Sequence, residues 1–367
     1  MEIPFLSFNG MHGPIRGLIL DAVTNVFDSN WFILGSHLSE FERNYSKFSN
    51  VNFCAGVGNG LEAIVLALKA LGIGKGDEVI VPSNTYIATW LAVSYVGATP
   101  VPVEPNIATY NLDHNLIEAA ITAKTKALIP VHLYGQACEM TEIMRLADRY
   151  KLFVVEDNAQ AQGARFNDRM TGSFGNVNAT SFFPGKNLGA LGDGGAVTTN
   201  SKELFRQVCL LRNYGSEKKY FNEIKGLNSR LDEIQAAVLN VKLEFLTGWN
   251  IERVRIANKY TERLKDIENI TLPTIAKGAT SVFHLYVIRS LERQALIEHL
   301  ANNQVRTLIH YPIPPHLQKA YHDLNFKRGD FPLAEAISDT CLSLPIYPGL
   351  TDEQMDYICD AVARFKK

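Results

Sequence analysis

Residues 180–200 read TSFFPGKNLGALGDGGAVTTN and contain a single lysine, Lys186. The β-branched and aromatic residues before it predict a buried strand, which Pro184 and Gly185 end, so that Lys186 stands on a glycine-rich turn. A second strand is predicted at residues 195–199. A lysine held between two apolar strands loses solvation, which lowers its pKa and makes its amine available for Schiff-base chemistry. A solvated loop lysine is the alternative, and the rest of the chain has to decide between them.

The composition is that of an ordinary globular protein, and it excludes two kinds of partner. The chain has 367 residues, of which 46% are hydrophobic and 20% are charged, and its formal net charge is −2. This length predicts two domains, or one large domain with an appendage. Because basic residues are not in excess, we expect no nucleic-acid binding and no membrane contact, and instead a small-molecule substrate or a protein partner.

The cysteines and the N-terminus bear on cellular location. Five cysteines occur singly, without the even count or close pairing of a disulfide framework or a zinc site. The first residues, MEIPFLSFNG, lack the apolar core of a secretory signal, and the longest apolar helix, at 61–71, is too short to span a bilayer. We therefore expect no metal, no membrane span and a cytoplasmic location.

From residue 77 onward, strand and helix patterns alternate. Strands are predicted at 78–81, 99–103, 127–133 and 152–155, and helices at 86–95, 115–122 and 141–150. This alternation is typical of an α/β domain with a mostly parallel sheet, in which ligands bind at the carboxyl ends of the strands.

Two carboxylates, Glu156 and Asp157, follow the last of these strands, and Gln160 comes shortly after. Either carboxylate alone could be a helix-start or surface residue. Asp157 is nevertheless expected at the mouth of the sheet, where it could face a cationic nitrogen of a ligand.

A glycine turn at residues 53–60, FCAGVGNG, leads directly into the helical run LEAIVLALKAL. Free backbone N–H groups and the helix dipole make such a turn an anion site suited to phosphate. The final glycine of the dinucleotide fingerprint is absent, since Leu61 stands in its place. This segment alone supports a phosphate cup and an ordinary helix start about equally.

The C-terminal third predicts a second, smaller unit. A long polar surface loop is expected at 213–230, followed by a long helix that starts near Leu231 and continues past Gly248 towards Tyr260. Later elements are a strand at 283–288, a helix at 293–301, and a final helix that starts at Thr351 in a capping box with Gln354. The proline-rich segment at 310–316 is interpreted as a substrate-contact loop that presents His310 and Tyr311.

Taken together, the motifs resemble one enzyme family. The runs GVGNGLEA, PSNTYIAT, VHLYGQ, VVEDNAQAQGA, SFFPGKNLGALGDGGAVTTN, LRNYGS and NSRLDEIQAA occur in this order. Their order resembles that of the pyridoxal-phosphate-dependent sugar aminotransferases of the DegT/DnrJ/EryC1/StrS family, from about residue 4 to the end of the chain. The lysine segment and the RNYGS run look most like the enzymes that aminate C3 of a nucleotide-linked 3-keto-6-deoxyhexose.

The resemblance implies an α/β protein of the aspartate-aminotransferase fold type I. A large domain, at 1–248, would hold a mostly parallel seven-stranded sheet, and residues 249–367 would form a smaller α+β domain. It also implies pyridoxal 5'-phosphate as cofactor, L-glutamate as amino donor, a dTDP-linked keto sugar as substrate, and a homodimer with shared active sites.

Residue by residue, the resemblance assigns the cofactor contacts. Lys186 matches the lysine that binds the cofactor, and Asp157 matches the carboxylate that pairs with the pyridine nitrogen. Gln160 lies beside the ring hydroxyl in this family, and Tyr86 stacks on the ring. The phosphate cup corresponds to Gly58, Asn59, Gly60 and Ser181, with Asn228 reaching it from the other subunit.

The substrate side is assigned in the same way. The residues implied to face the sugar nucleotide are Phe183, Lys219, Tyr220, His310 and Tyr311. Phe183 stands where a tyrosine is frequent in the family, and the missing hydroxyl could alter a contact with the substrate.

Three alternatives compete with an aminotransferase. A pyridoxal-phosphate-dependent sugar 3-dehydratase would carry histidine at the position of Lys186. A regulatory or binding protein of the same fold would not need Lys186, Asp157 and Ser181. A nucleotide-binding oxidoreductase built on the Gly56 turn lacks the third glycine. The choice between dTDP and UDP, and between the gluco and galacto sugar, stays open.

Overall fold

The computed structural model describes residues 2–365. Its strands are β1 (Phe53–Val57), β2 (Glu78–Pro82), β3 (Thr99–Val103), β4 (Thr125–Leu128), β5 (Phe153–Asp157), β6 (Arg165–Phe166), β7 (Arg169–Met170), β8 (Val177–Ser181), β9 (Gly195–Thr199), β10 (Ser216–Lys218), β11 (Phe221–Asn222), β12 (Tyr286–Arg289) and β13 (Cys341–Leu344). Its α-helices are α1 (Asn9–His12), α2 (Arg16–Ser29), α3 (Ser36–Phe48), α4 (Gly60–Ala70), α5 (Ile87–Tyr95), α6 (His114–Ala120), α7 (Met140–Tyr150), α8 (Lys202–Leu211), α9 (Glu233–Leu264), α10 (Arg293–Asn302), α11 (Pro332–Thr340) and α12 (Asp352–Ala363).

Seven strands form the central sheet, in the order β1-β9-β8-β5-β4-β2-β3. All neighbouring pairs are parallel except the two that involve β9, which runs against both β1 and β8. The strands are almost entirely buried because helices cover both faces, as parallel sheets require. The predicted α/β class and the mostly parallel seven-stranded sheet are confirmed.

Several boundaries differ from the sequence prediction. The strand predicted at 127–133 ends at Leu128, and the chain turns through Pro130 into a short 3-10 helix at Leu133–Gly135. The apolar residues after Leu128 are buried, but they do not continue the strand. A prediction from hydrophobicity alone therefore made the strand too long. The loop predicted at 213–230 contains the hairpin β10–β11.

A second core forms around the two-stranded sheet of β12 and β13. Helices α10 and α12 and the C-terminal half of α9 pack there, and so does the fully buried Ile3 from the start of the chain, which pairs with Val305. Helix α9 runs without a break through the exposed Gly248, and burial of Leu246 and Trp249 offsets the cost of about 1 kcal/mol for a helical glycine. A domain boundary at residue 248 would fall inside this helix, and it stays a prediction.

One buried carboxylate fixes the loop beside β5. Glu156 is fully buried and accepts hydrogen bonds from three backbone N–H groups in residues 172–175, at 2.6–2.8 Å. His132 Nε2 lies 2.8 Å from the same carboxylate, and its Nδ1 accepts a hydrogen bond from the Cys138 N–H at 3.0 Å. Nδ1 is therefore the acceptor and Nε2 the donor, so neutral His132 satisfies both partners.

Replacing this carboxylate should destabilise the fold. In Glu156→Ala, three buried N–H groups and His132 lose their acceptor, so we expect the free energy of unfolding to fall by about 3 kcal/mol or more in urea titration. Glu142→Ala is the control, because the Glu142 side chain is 37% exposed and pairs with Arg145 at the surface. That variant should stay within about 0.5 kcal/mol of the parent. Equal stability of the two variants would contradict the structural role of Glu156.

Candidate active site

The sheet brings the predicted site residues to one edge. Asp157 is the last residue of β5, and β8 runs parallel beside it with Asp157 opposite Ala179. Strand β8 ends at Ser181, and the chain then turns to Lys186. Asp157, Ser181 and Lys186 therefore meet at the carboxyl end of the parallel strands, where ligands bind in such sheets.

The carboxylate of Asp157 is held in one orientation. Its side chain is nearly buried; Oδ2 accepts a hydrogen bond from Thr89 Oγ1 at 2.9 Å, and Oδ1 accepts one from the Ala159 N–H at 3.1 Å. Burial raises the pKa of Asp157, while both hydrogen bonds and the positive charge of Lys186 act in the opposite direction. A carboxylate fixed in this way can stabilise a cationic nitrogen.

Lys186 has the altered acidity expected of a Schiff-base lysine. Burial lowers its pKa to about 8, although the negative charge of Asp157 acts to raise it. The turn that carries it is fixed by a hydrogen bond from the Lys186 N–H to the Phe183 carbonyl at 2.8 Å. Just before the turn, the buried ring of Phe182 packs edge-on against Phe41 and Tyr45. Packing of Phe182 thus anchors the loop from which Lys186 projects.

The start of α4 forms a cradle for an anion. Asn59 caps this helix, because its Oδ1 accepts the Glu62 N–H at 2.9 Å. The N–H groups of Gly60 and Leu61, which precede Glu62, have no partner within the helix. A Cβ on Gly60 would lie 2.6 Å from the Cβ of Ser181, so only glycine allows β8 to approach the helix start this closely. Gly58 donates its N–H to Ser229 Oγ at 3.1 Å. The start of α4 therefore offers the kind of N–H donors that bind a phosphate group.

Aromatic and amide side chains line the other side. Gln160 Oε1 accepts the Tyr134 N–H at 2.7 Å, and its Nε2 donates to the Tyr311 hydroxyl at 3.0 Å. The ring centroids of Tyr311 and Tyr86 are 5.1 Å apart. Three predicted residues, Tyr86, Gln160 and Tyr311, are thus brought into one cluster.

His310 lies next to this cluster and is uncharged. Its Nδ1 is 2.8 Å from Ser343 Oγ, and the Tyr134 hydroxyl donates to its carbonyl. Burial, together with the charge of Lys186, lowers its pKa to about 4. A neutral imidazole of this kind can exchange hydrogen bonds with a hydroxyl group without adding charge.

Besides Tyr86, which is 53% exposed, four predicted residues are exposed. Phe183 is 57% exposed beside the lysine turn. Lys219 and Tyr220 form the tip of the β10–β11 hairpin, where the lysine amine lies 5.1 Å from the tyrosine ring centroid and Tyr220 is 84% exposed. The exposed Asn228 pairs through its backbone with Asn213. Within the described chain, the contacts of Lys219, Tyr220 and Asn228 are with these neighbours and not with Lys186 or Asp157.

Sequence reasoning missed several residues that position the site. Thr89 orients Asp157, and Ser229 contacts Gly58, although Asn228 was the residue singled out. Asn187, beside Lys186, donates to Asn250 Oδ1 at 2.8 Å and lies 3.3 Å from His284 Nδ1. Adjacency to the lysine was the one signal that could have identified Asn187, whereas Asn250 and His284 come from distant segments.

Residues 2–365 contain neither a candidate metal site nor a membrane-spanning helix. No group of three or more histidine, cysteine, aspartate or glutamate side chains there could hold a metal ion. In the same part of the chain, no helix is both long and apolar enough to cross a membrane.

The sequence matches the model of the DegT/DnrJ/EryC1/StrS aminotransferase family over residues 15–363. The chain belongs to this family. The expected family and enzyme class are thereby confirmed.

Individual relatives and solved structures are similar over nearly the whole length. The chain is 49% identical to "Erythromycin biosynthesis sensory transduction protein EryC1" of Saccharopolyspora erythraea, covering 98% of both chains. It is also 49% identical to the dTDP-3-amino-3,6-dideoxy-alpha-D-galactopyranose transaminase of Aneurinibacillus thermoaerophilus, covering 99% of both. The crystal structure of S. venezuelae DesV in complex with a ketimine intermediate superposes with a TM-score of 0.97 at 47% identity, covering 99% of this chain and 98% of that one.

The cofactor expected from the sequence agrees with a further solved structure. The PLP-form of a putative sugar aminotransferase, Spr1654 of Streptococcus pneumoniae, has a TM-score of 0.90 at 27% identity and covers 99% of this chain and 98% of that one. The residues present here fit pyridoxal phosphate, because a lysine of low pKa, a fixed carboxylate and an anion cradle meet at one sheet edge. Dependence on pyridoxal phosphate is confirmed.

The acidity of Lys186 gives a test of the site. Only the uncharged amine attacks a carbonyl, so cofactor-depleted protein should gain the visible absorption of bound pyridoxal phosphate at a rate that rises with pH through a midpoint at about 8 and then levels off. Asp157→Asn removes the charge that raises the pKa of Lys186, so its rate profile should shift to lower pH. Lys186→Ala serves as the blank. A midpoint near 10.5, the ordinary value for lysine, would contradict the desolvation of Lys186.

Proposed function

We propose that this protein transfers an amino group from L-glutamate to C3 of a dTDP-linked 3-keto-6-deoxyhexose, producing a dTDP-3-amino-3,6-dideoxyhexose. The observation that carries the proposal is the placement of Lys186, with its lowered pKa, at the same sheet edge as the fixed carboxylate of Asp157. The substrate class is supported by the 49% identity to a relative named a dTDP-3-amino-sugar transaminase.

Each site residue has a role in this reaction. Lys186 would hold the cofactor, and the free N–H groups at the start of α4 together with Ser181 would hold its phosphate. Asp157 would keep the pyridine nitrogen protonated. When bound, pyridoxal phosphate supplies the electron sink for breaking a carbon–hydrogen bond. With a pKa of about 8, Lys186 can release and take up a proton near neutral pH, as a general acid and base must.

The sugar-facing side is assigned to a second set of residues. Neutral His310 and the Tyr311 hydroxyl offer hydrogen bonds, and the ring of Phe183 offers an apolar surface beside the lysine turn. Because Phe183 lacks a hydroxyl, it cannot donate a hydrogen bond to the substrate. Specificity for the sugar would then depend on His310 and Tyr311.

A purely regulatory role is not favoured, even though one relative is named a sensory transduction protein. A protein that only binds partners has no use for a half-buried lysine of lowered pKa next to a fixed carboxylate, because desolvation of both groups destabilises the fold.

We also propose that the protein is cytoplasmic. All five cysteines are free thiols, as is usual for proteins of that reducing compartment.

We also propose that the protein is a homodimer with shared active sites. Large apolar side chains are exposed on the single chain, among them Phe27 (70%), Trp31 (63%) and Phe221 (63%). Exposed apolar groups of this size mark association surfaces. Asn228 is exposed in the same part of the chain as Phe221, and we propose that the Asn228 of each subunit completes the phosphate cradle of the other. Lys219 and Tyr220 would reach the sugar nucleotide in the same way.

The reaction itself can be measured directly. Purified protein with L-glutamate and each C4 epimer of the dTDP-3-keto-6-deoxyhexose should release 2-oxoglutarate and an amino sugar nucleotide, detected by mass spectrometry. Lys186→Ala removes the general base and should reduce turnover by about 100- to 10,000-fold. Glu142→Ala, a surface change, is the matched control and should retain full turnover. Normal turnover in Lys186→Ala would refute the proposed aminotransferase reaction.

Shared sites can be tested by mixing two inactive variants. A heterodimer of Lys186→Ala and Asn228→Ala contains one site in which both residues are intact, if Asn228 acts across the interface. After subunit exchange, about one quarter of the wild-type sites should then be restored, because heterodimers form half of a random mixture. If Asn228 acts within its own chain, mixing restores nothing, and that result would refute the shared site.

A further inference from the structure

A buried chain of amide groups surrounds the lysine turn. Asn187, the neighbour of Lys186, is 1% exposed, and its Nδ2 donates to Asn250 Oδ1 at 2.8 Å and to the Val282 carbonyl at 3.0 Å. The Val282 carbonyl can only accept, so the orientation of the Asn187 amide is fixed. Asn187 Oδ1 is consequently the acceptor that faces His284 Nδ1 at 3.3 Å.

This orientation determines the state of His284. Since Asn187 Oδ1 can only accept, His284 must carry a proton on Nδ1. Burial, with the positive charges of Lys186 and Arg253, lowers the pKa of His284 well below its usual range. The imidazole therefore adds no positive charge beside Lys186.

The amide chain continues from Asn250 to the phosphate side of the site. Asn250 Nδ2 donates to the Gln162 carbonyl at 2.8 Å, and Gln162 Nε2 donates to the Ser181 carbonyl at 2.8 Å. Ser181 precedes the lysine turn and Asn187 follows Lys186. One residue on α9 thus connects, through hydrogen bonds, the two ends of the segment that would hold the cofactor.

We propose that Asn250 is a positioning residue for the cofactor: through Asn187 and Gln162 it fixes Lys186 relative to Ser181 and orients the imidazole of His284. This inference rests on the proposed function. Its physical basis is that the cofactor has a fixed length between carbonyl carbon and phosphate, so the groups that bind its ends must be held at a matching distance. Loss of Asn250 leaves buried donors and acceptors without partners on both sides of the lysine turn.

The test uses the full-length protein with bound pyridoxal phosphate. Asn250→Ala should increase the dissociation constant for the cofactor by about tenfold or more. It should also weaken the visible circular dichroism per bound cofactor, because the ring is held less rigidly. Asn250→Ser is a second variant, chosen because a small polar side chain is better tolerated if alanine prevents folding.

Asn240→Ala is the matched control. Asn240 lies on the same helix, accepts from Asn44 Nδ2 at 3.1 Å and donates to the His37 carbonyl at 3.3 Å, away from the lysine turn. Its loss should lower the melting temperature but leave the dissociation constant and the dichroism within about twofold of the parent. Non-additive effects of Asn187→Ala and Asn250→Ala on cofactor affinity would add support, since the two residues share one hydrogen bond.

The inference is overturned if Asn250→Ala and Asn250→Ser melt at lower temperature yet keep the parental dissociation constant and dichroism. Failure of the proposed function itself would be seen in the parent protein or in Lys186→Ala. If the parent shows no visible absorption with pyridoxal phosphate, or if Lys186→Ala shows the same absorption, the proposed function falls, and this inference falls with it.

Discussion

The structure depends on keeping an amine and a carboxylate at one partly dehydrated edge of a sheet. Lys186 loses solvation there, which lowers its pKa to about 8, and the nearby charge of Asp157 prevents a larger drop. Either group without the other would leave a buried charge uncompensated. Parallel strands that end together, a turn anchored by Phe182 and hydrogen bonds to Asp157 make the arrangement possible.

The two adjacent carboxylates show how a strand assigns different roles to neighbours. Side chains alternate between the two faces of a strand, so Glu156 and Asp157 point in opposite directions. Glu156 is enclosed by backbone N–H groups and His132, which makes it a structural residue. Asp157 accepts one hydrogen bond at each carboxylate oxygen, so each oxygen can still accept another from a ligand. Their sequence adjacency therefore does not mean a shared chemical role.

Helix α9 connects the large sheet to the second core. It contributes Asn250 beside the lysine turn, and Arg253, whose guanidinium donates to the carbonyls of Phe283, His284 and Ile346. These contacts join the segment at 282–286 to the active site. The sheet edge supplies the reactive groups, whereas the long helix sets their spacing.

The sequence by itself determined the α/β alternation, the strands at 99–103 and 195–199 and the glycine turn before α4, because each is marked by a local pattern. Its resemblance to the family predicted Lys186 and Asp157 as the reactive pair, which local pattern alone left open. It overstated the strand at 127–133, since buried apolar residues need not pair in a ladder. Only the tertiary structure revealed Thr89, Asn250 and His284 as partners of the site. Their contacts join segments far apart in the chain, and local periodicity contains no information about which distant side chains meet.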